Sequence, residues 1–343
     1  MASLSLPEGM RGGGLKKGLA AVMAASLFFC APAAPVGAAA PQSTPADAAP
    51  AAAPPALFDD ASLRARWAGA PSRFVVVDGV PIHLRDEGQG PALLLLNGHL
   101  GSLQMWDDWV PELTRHFRVI RIDYAPYGLS GPDPTGDYST RRSVELVGKL
   151  ADQLGLQRFH VGGTSNGALV ALFYAIEHPE RVDRVVVSTL PAGRPPRRTP
   201  SPALLAAFDE VRRAAPFQPR AFWQAFLEDI TANDAVVTPA LVDRYFELNN
   251  RVGAKAWVDA YIQTQYRLWD TLDVKAHYAR LTRPILLQWG GDGVVLPEAV
   301  GGDVAALFTE APVTLKVYRG AGHLPMIEVP RESVRDAIDF LRQ

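Results

Sequence analysis

The chain has 343 residues, 48% of them hydrophobic and 20% charged, an ordinary globular composition that excludes collagen-like, coiled-coil and wholly disordered chains. Lys and Arg total 34 against 36 Asp and Glu, so the net charge is −2 and no basic excess points to a nucleic-acid partner. The single cysteine, Cys30, excludes a disulfide framework and a multi-cysteine metal site, and the histidines show no HExxH or paired-His spacing.

Arg11, Lys16 and Lys17 precede an uncharged run whose strongly apolar part, Leu19 to Phe29, has the length of a signal-peptide core. Pro32, Pro35 and Gly37 break any helix, and Ala38-Ala39-Ala40 offers small residues for cleavage. Residues 1–40 therefore read as an export signal, which places the mature protein in the periplasm or outside the cell. The apolar run is too short and too proline-broken for a stable membrane span. Cleavage after Ala40 would remove the cysteine and leave a net charge of about −4. Residues 41–57 are low-complexity Ala/Pro and read as an extended tether.

The folded part is expected over 58–343. Residues 74–80 and 81–85 predict a hairpin with Asp78-Gly79 in the turn. Ala92 to Leu96 is continuously apolar and fits a strand covered on both faces. Alternation follows: a helix over about 103–115, strand 118–122, helix 140–154, strand 159–162, helix 166–177 and strand 184–188. After a long interval come strand 284–289, a helix near 298–309, strand 313–318 and a last helix near 331–342. Strands alternating with helices predict an α/β fold, a mostly parallel sheet with helices on both faces.

The interval from about 191 to 281 breaks the alternation with helical stretches near 202–214, 219–231, 239–250 and 254–272. It is rich in aromatics, including Phe222, Trp223, Phe226, Tyr245, Phe246, Trp257, Tyr261, Tyr266 and Trp269. An inserted helical cap is the simplest reading, with most of these rings in the cap core and a minority facing a substrate.

Gly163-Thr164-Ser165-Asn166-Gly167 follows an apolar strand and opens a helix, the setting of a G-x-S-x-G nucleophile elbow. Such a turn lifts the Ser165 hydroxyl above the sheet and aims the Asn166 N–H at a developing oxyanion. His323, in Gly320-Ala321-Gly322-His323 after the last strand, is placed to take the serine proton. Asp292, in Trp289-Gly290-Gly291-Asp292-Gly293, would accept from His323 and fix its tautomer. The order Ser, Asp, His is the one such a sheet uses. Asn97-Gly98-His99 follows the buried strand, and the His99 N–H is the natural second oxyanion donor. The His99 side chain either lines the pocket or faces solvent.

Together, NGHLGS, the loop 123–130 (DYAPYGLS), GTSNG, WGGDG and GAGHLP resemble the α/β-hydrolase superfamily, in its cap-bearing branch of small serine esterases. The resemblance covers about residues 72–343, the cap only loosely. Three positions depart from it. Asn97 stands where a histidine is usual, and Pro126 where a glycine is usual. The family's aspartate, counted without gaps, falls on Gly293, one residue past Asp292. The resemblance implies a serine hydrolase of a carboxylic ester or lactone with an apolar acyl group, needing no cofactor and no metal. Serine rather than aspartate at the elbow disfavours carbon–halogen and epoxide chemistry. The alternatives are a serine C–C bond hydrolase or a cofactor-free perhydrolase, and a catalytically inactive binding protein of the same fold.

Overall fold

The computed structural model describes residues 56–196 and 198–343, so the segment expected to be an export signal and nearly all of the expected tether lie outside the described residues. Eight strands form one sheet: β1 (Arg73–Val77), β2 (Val80–Glu87), β3 (Ala92–Leu96), β4 (Arg118–Ile122), β5 (Phe159–Thr164), β6 (Val182–Ser188), β7 (Ile285–Gly290) and β8 (Val313–Tyr318). Their spatial order is β1-β2-β4-β3-β5-β6-β7-β8. β1 and β2 pair antiparallel, as do β2 and β4, and every other neighbour pair is parallel. The hairpin turn is the expected one. Asp78 and Gly79 have φ of 52° and 82°, the left-handed pair that matches strand twist. β3 sits at the centre with all five residues buried, and each of its leucines contributes about 2 kcal/mol by burial.

Strand order reverses at β3. The chain passes from β3 to β4 on one side, then crosses to β5 on the other. Ligands of open α/β sheets bind at such a switch, outside the carboxyl ends of the strands. The two loops with the strongest chemical signature, after β3 and after β5, therefore flank one crevice.

The helices are α1 (Asp60–Trp67), α2 (Val110–Leu113), α3 (Thr140–Gln153), α4 (Asn166–Glu177), α5 (Pro202–Ala214), α6 (Arg220–Ile230), α7 (Pro239–Asn249), α8 (Ala254–Thr271), α9 (Val274–Tyr278), α10 (Glu298–Ala305), α11 (Pro325–Glu328) and α12 (Pro330–Leu341). α5 to α9 form the insertion between β6 and β7. α5 and α7 each begin with a hydroxyl cap followed by proline in the first turn: Ser201 accepts from the Leu204 N–H and Thr238 from the Leu241 N–H. The single helix expected over 103–115 is a correction. A 3-10 turn at Leu103–Trp106 and the short α2 stand there instead. Pro111 fits only a first helical turn, so it starts a new helix rather than continuing one. α1 was not anticipated, because DASLRARW has no apolar stripe and buries only Leu63. It is held by Arg251, whose buried guanidinium takes both Asp60 oxygens (2.5 and 2.9 Å), and by Trp67 Nε1 on Glu247 (2.9 Å).

Asp123, at the end of β4, is fully buried and accepts three N–H bonds: Leu103 (2.6 Å), Leu129 (2.8 Å) and His83 Nδ1 (2.7 Å). His83 Nε2 in turn meets the Ser72 hydroxyl at 2.9 Å. Ser72, His83 and Asp123 form a serine–histidine–aspartate chain that is not part of the lining of the cavity over Ser165, and Arg85 Nε also donates to Ser72 (3.0 Å). It ties the first hairpin to the loop after β4. Among the described residues no helix is long and apolar enough to cross a membrane.

Candidate active site

Ser165 stands between β5 and α4 with φ 51° and ψ −122°, a left-handed backbone that costs a non-glycine residue about 1–3 kcal/mol. The turn is held by the Ser165 N–H on the Ser188 carbonyl (2.9 Å). The flanking glycines are steric requirements. A side chain at Gly163 would meet the Gly167 carbonyl group at 2.5 Å, and one at Gly167 would collide with the Asn97 carbonyl oxygen. A methyl at Gly98 would lie 3.5 Å from the Ser165 Cβ, which sets the β3 loop directly against the serine.

That loop is rigid. Buried Asn97 donates to the Gly98 and Gly101 carbonyls (2.9 and 3.0 Å) and accepts the Tyr124 N–H (3.2 Å), while Leu100 turns the chain with φ 61°. Asn97, which stands where the family usually has histidine, thus shapes the loop. Among the described residues no backbone carbonyl accepts from the His99 or Asn166 N–H.

A cavity of about 260 Å³ opens over these groups, beneath the inserted helices. Gly98, His99, Ser165, Asn166 and His323 line it from the sheet side, and Phe226, Tyr245, Tyr261, Tyr266 and Trp269 from the insertion. Five of the nine aromatics singled out from sequence therefore reach the cavity, more than the expected minority. Phe222 and Trp223 stay in the core of the insertion, their rings 5.1 Å apart. The His99 side chain lines the cavity, which resolves its two sequence readings.

His323 is buried in the cavity wall. Its N–H bonds the Ile230 carbonyl (2.9 Å) and its carbonyl accepts from Thr189 (3.1 Å). Glu328 grips both neighbours, accepting from Gly322 (2.8 Å) and Leu324 (3.0 Å), and also from Ala232 of the insertion (2.7 Å). This buried carboxylate, which the sequence did not flag, fixes the histidine loop against the end of α6. Burial, with the Arg198 guanidinium adding to it, pushes His323 down to about 4. It is neutral at pH 7, the state a general base needs.

Asp292 does not do what the sequence suggested. Its carboxylate accepts the Gly320 N–H at 2.6 Å on the exposed surface, while His323 Nδ1 is buried with no hydrogen-bond partner. Asp292 is exposed, whereas a Cβ at Gly293, one residue on, would lie 3.5 Å from the carbonyl carbon of Gly322, the residue before His323. Asp292→Asn should therefore change kcat/KM by less than about threefold in a steady-state ester assay. A loss near the 10⁴ known for an orienting aspartate would restore Asp292 to that role.

Among the described residues no group of three or more His, Cys, Asp or Glu could hold a metal ion. A family model described as alpha/beta hydrolase fold matches residues 91–330. The chain belongs to the α/β-hydrolase family. This α/β-hydrolase is 31% identical over 76% of its length to a Pseudomonas savastanoi protein provisionally named carbamate hydrolase RutD, covering 97% of that relative. It is 26% identical over 78% of its length to the 2-hydroxy-6-oxo-2,4-heptadienoate hydrolase of Pseudomonas putida, covering 95% of it. Among solved structures it resembles the enol-lactonase from Burkholderia xenovorans, with a TM-score of 0.64, 22% identity, and coverage of 79% of this chain and 100% of that one. The relatives carry different substrates in their names, so family membership by itself selects none.

Proposed function

We propose that this α/β-hydrolase cleaves a carboxylic ester or lactone through an acyl-enzyme on Ser165. The observation that carries the reading is the strained Ser165 turn at the cavity, flanked by two backbone N–H groups that bond to no backbone carbonyl among the described residues. Ser165 Oγ attacks the carbonyl carbon while His323, which lines the same cavity, takes its proton through Nε2. The His99 and Asn166 N–H groups bind the oxyanion, a contribution of about 10²–10³ in rate per donor. His323 returns the proton to the departing alkoxide, and water then releases the acid by the same steps in reverse. Serine forms an acyl ester, whereas carbon–halogen and epoxide cleavage on this fold starts from a carboxylate nucleophile.

A C–C bond hydrolase using the same serine is the second reading, supported by the 26% identity to the Pseudomonas putida enzyme. A binding protein is the third, supported by the unpartnered His323 Nδ1. A screen of p-nitrophenyl esters of graded chain length, lactones and vinylogous 1,5-diketones separates the readings. Turnover of esters or lactones by the purified protein is expected. Turnover of the diketones alone supports the second reading, and turnover of none the third.

Because His323 acts as a base only when neutral, its pKa near 4 sets the acid limb of activity. kcat/KM should be flat from about pH 5 to 8 and fall as pH drops through about 4. An acid limb near pH 7 contradicts a buried, unpaired His323.

A further inference from the structure

Much of the cavity lining is apolar, yet one stripe of it carries polar atoms that the protein leaves unpaired. Tyr261 and Gln265 are four residues apart on α8 and share a face. Tyr261 is fully buried, and its hydroxyl lies close to those of Tyr124 and Tyr127 and to the Asn166 side chain without a well-aligned hydrogen bond to any of them. Gln265 is buried too. Its Nε2 donates to Thr140 Oγ1 (2.8 Å), which leaves Oε1 buried without a donor. His99 completes the stripe. Its ring stacks on Tyr261, with centroids 6.1 Å apart and planes at 26°, and its Nδ1 is held by the Tyr127 hydroxyl at 2.6 Å. Nε2 is left as the ring nitrogen free for a ligand. All three residues line the cavity that contains Ser165. Buried polar groups are nearly always paired, so an unpaired cluster facing a cavity marks a place where a ligand supplies the partner.

The chemistry of the three atoms narrows that ligand. None is charged: burial drives His99 down to about 4, with the neighbouring His323 adding to the fall, and keeps the Tyr261 phenol protonated. Among the described residues the cavity arginines are already engaged, Arg194 with Asp270 (2.6 Å) and Arg198 with Asp229, so these residues offer an anionic group no spare cation. A ketone oxygen could accept from Tyr261 but would leave Gln265 Oε1 unpaired. A hydroxyl both donates and accepts, and so satisfies the amide oxygen and the phenol together. We propose that His99, Tyr261 and Gln265 form a subsite for a hydroxyl group borne by the substrate within a few bonds of the scissile carbonyl. The preferred substrates are then hydroxylated esters or lactones rather than plain fatty acyl esters. This deepens the proposed ester hydrolysis and rests on it.

The test compares ethyl butanoate with ethyl 3-hydroxybutanoate and 2-hydroxyethyl butanoate by pH-stat. The native protein should favour at least one hydroxylated ester by about tenfold or more in kcat/KM, because the site rejects a ligand that leaves its polar atoms unpaired. Tyr261→Phe and Gln265→Leu, both close in shape to the native residues, should each bring that ratio towards one. A native ratio at or below one for both hydroxylated esters, or a ratio that neither substitution lowers, overturns the subsite. Binding of the same esters to the Ser165→Ala protein, followed by calorimetry, separates the two claims. Failure of ester turnover with a retained binding preference for the hydroxylated ester removes the acyl-transfer reading and keeps the subsite. Labelling of Ser165 with no binding preference does the opposite.

Discussion

Replacing Ser165 with alanine should lower ester turnover by about 10⁶, to the level that the oxyanion donors and the cavity sustain alone. The size of the loss follows from the division of labour in the site. In the proposed mechanism the serine is the group that bonds to the substrate, and without it His323 has no proton to move. The substitution adds no bulk at a backbone with φ 51°, so the turn and its glycine packing stay as they are. The expected signature is a collapse of kcat with little change in substrate affinity and an unchanged melting temperature. A loss of less than about a hundredfold places the nucleophile elsewhere.

The second large effect is a gain. Gly293→Asp should raise kcat/KM by at least about tenfold, with the 10⁴ lost on removing an orienting aspartate as the ceiling. His323 Nδ1 is buried and unpaired, an arrangement that costs about 1–3 kcal/mol and leaves the ring tautomer unfixed. A Cβ built on Gly293 has room: its nearest neighbours are the Leu296 carbonyl oxygen at 3.4 Å and Gly290 and Gly322 atoms at 3.5 Å. Gly322 is the residue before His323, so a carboxylate at 293 starts against the backbone of the His323 loop. Its negative charge also favours the imidazolium, so the His323 pKa rises from about 4 and the acid limb of activity moves to higher pH. A variant that folds as the native protein does, with neither a gain nor a shifted limb, shows that His323 draws no benefit from an acid at this position.

These results bear on which parts of the site were readable from sequence. The elbow was readable because GTSNG is a local steric device: its glycines, strand and helix all lie within residues 159–177. β3, β4, β8 and α4 matched their expected spans for the same reason, since continuous apolar runs and caps are local signals. Asp292 misled because motif counting does not specify which way a side chain leaves a turn. Chain order favoured it, whereas the backbone turns its carboxylate out to the Gly320 N–H. The role of Glu328 was hidden because its three partners come from two separate stretches, Ala232 and the His323 loop. The orientation of His99 was out of reach because it depends on Tyr127 and Tyr261, distant in sequence and joined only by the packing of α8 over the sheet. Among the cap aromatics, composition alone could not separate Trp223 in the core from Trp269 at the cavity.

The proposed hydroxyl subsite adds a polar requirement to the expected substrate. From sequence, the aromatics suggested an apolar acyl group. In the folded protein, Tyr261 and Gln265 set unpaired polar atoms among those rings.

The most direct measurement is mass spectrometry of the native protein after exposure to a fluorophosphonate, with peptide mapping of the adduct. Fluorophosphonates react with a serine activated by a neighbouring base, so they report the nucleophile without knowledge of the substrate. A single adduct on Ser165, absent from the Ser165→Ala protein and reduced in His323→Gln, is the predicted result. An adduct on Ser72, whose hydroxyl also meets a histidine paired with an aspartate, or no adduct at all, would contradict the assignment.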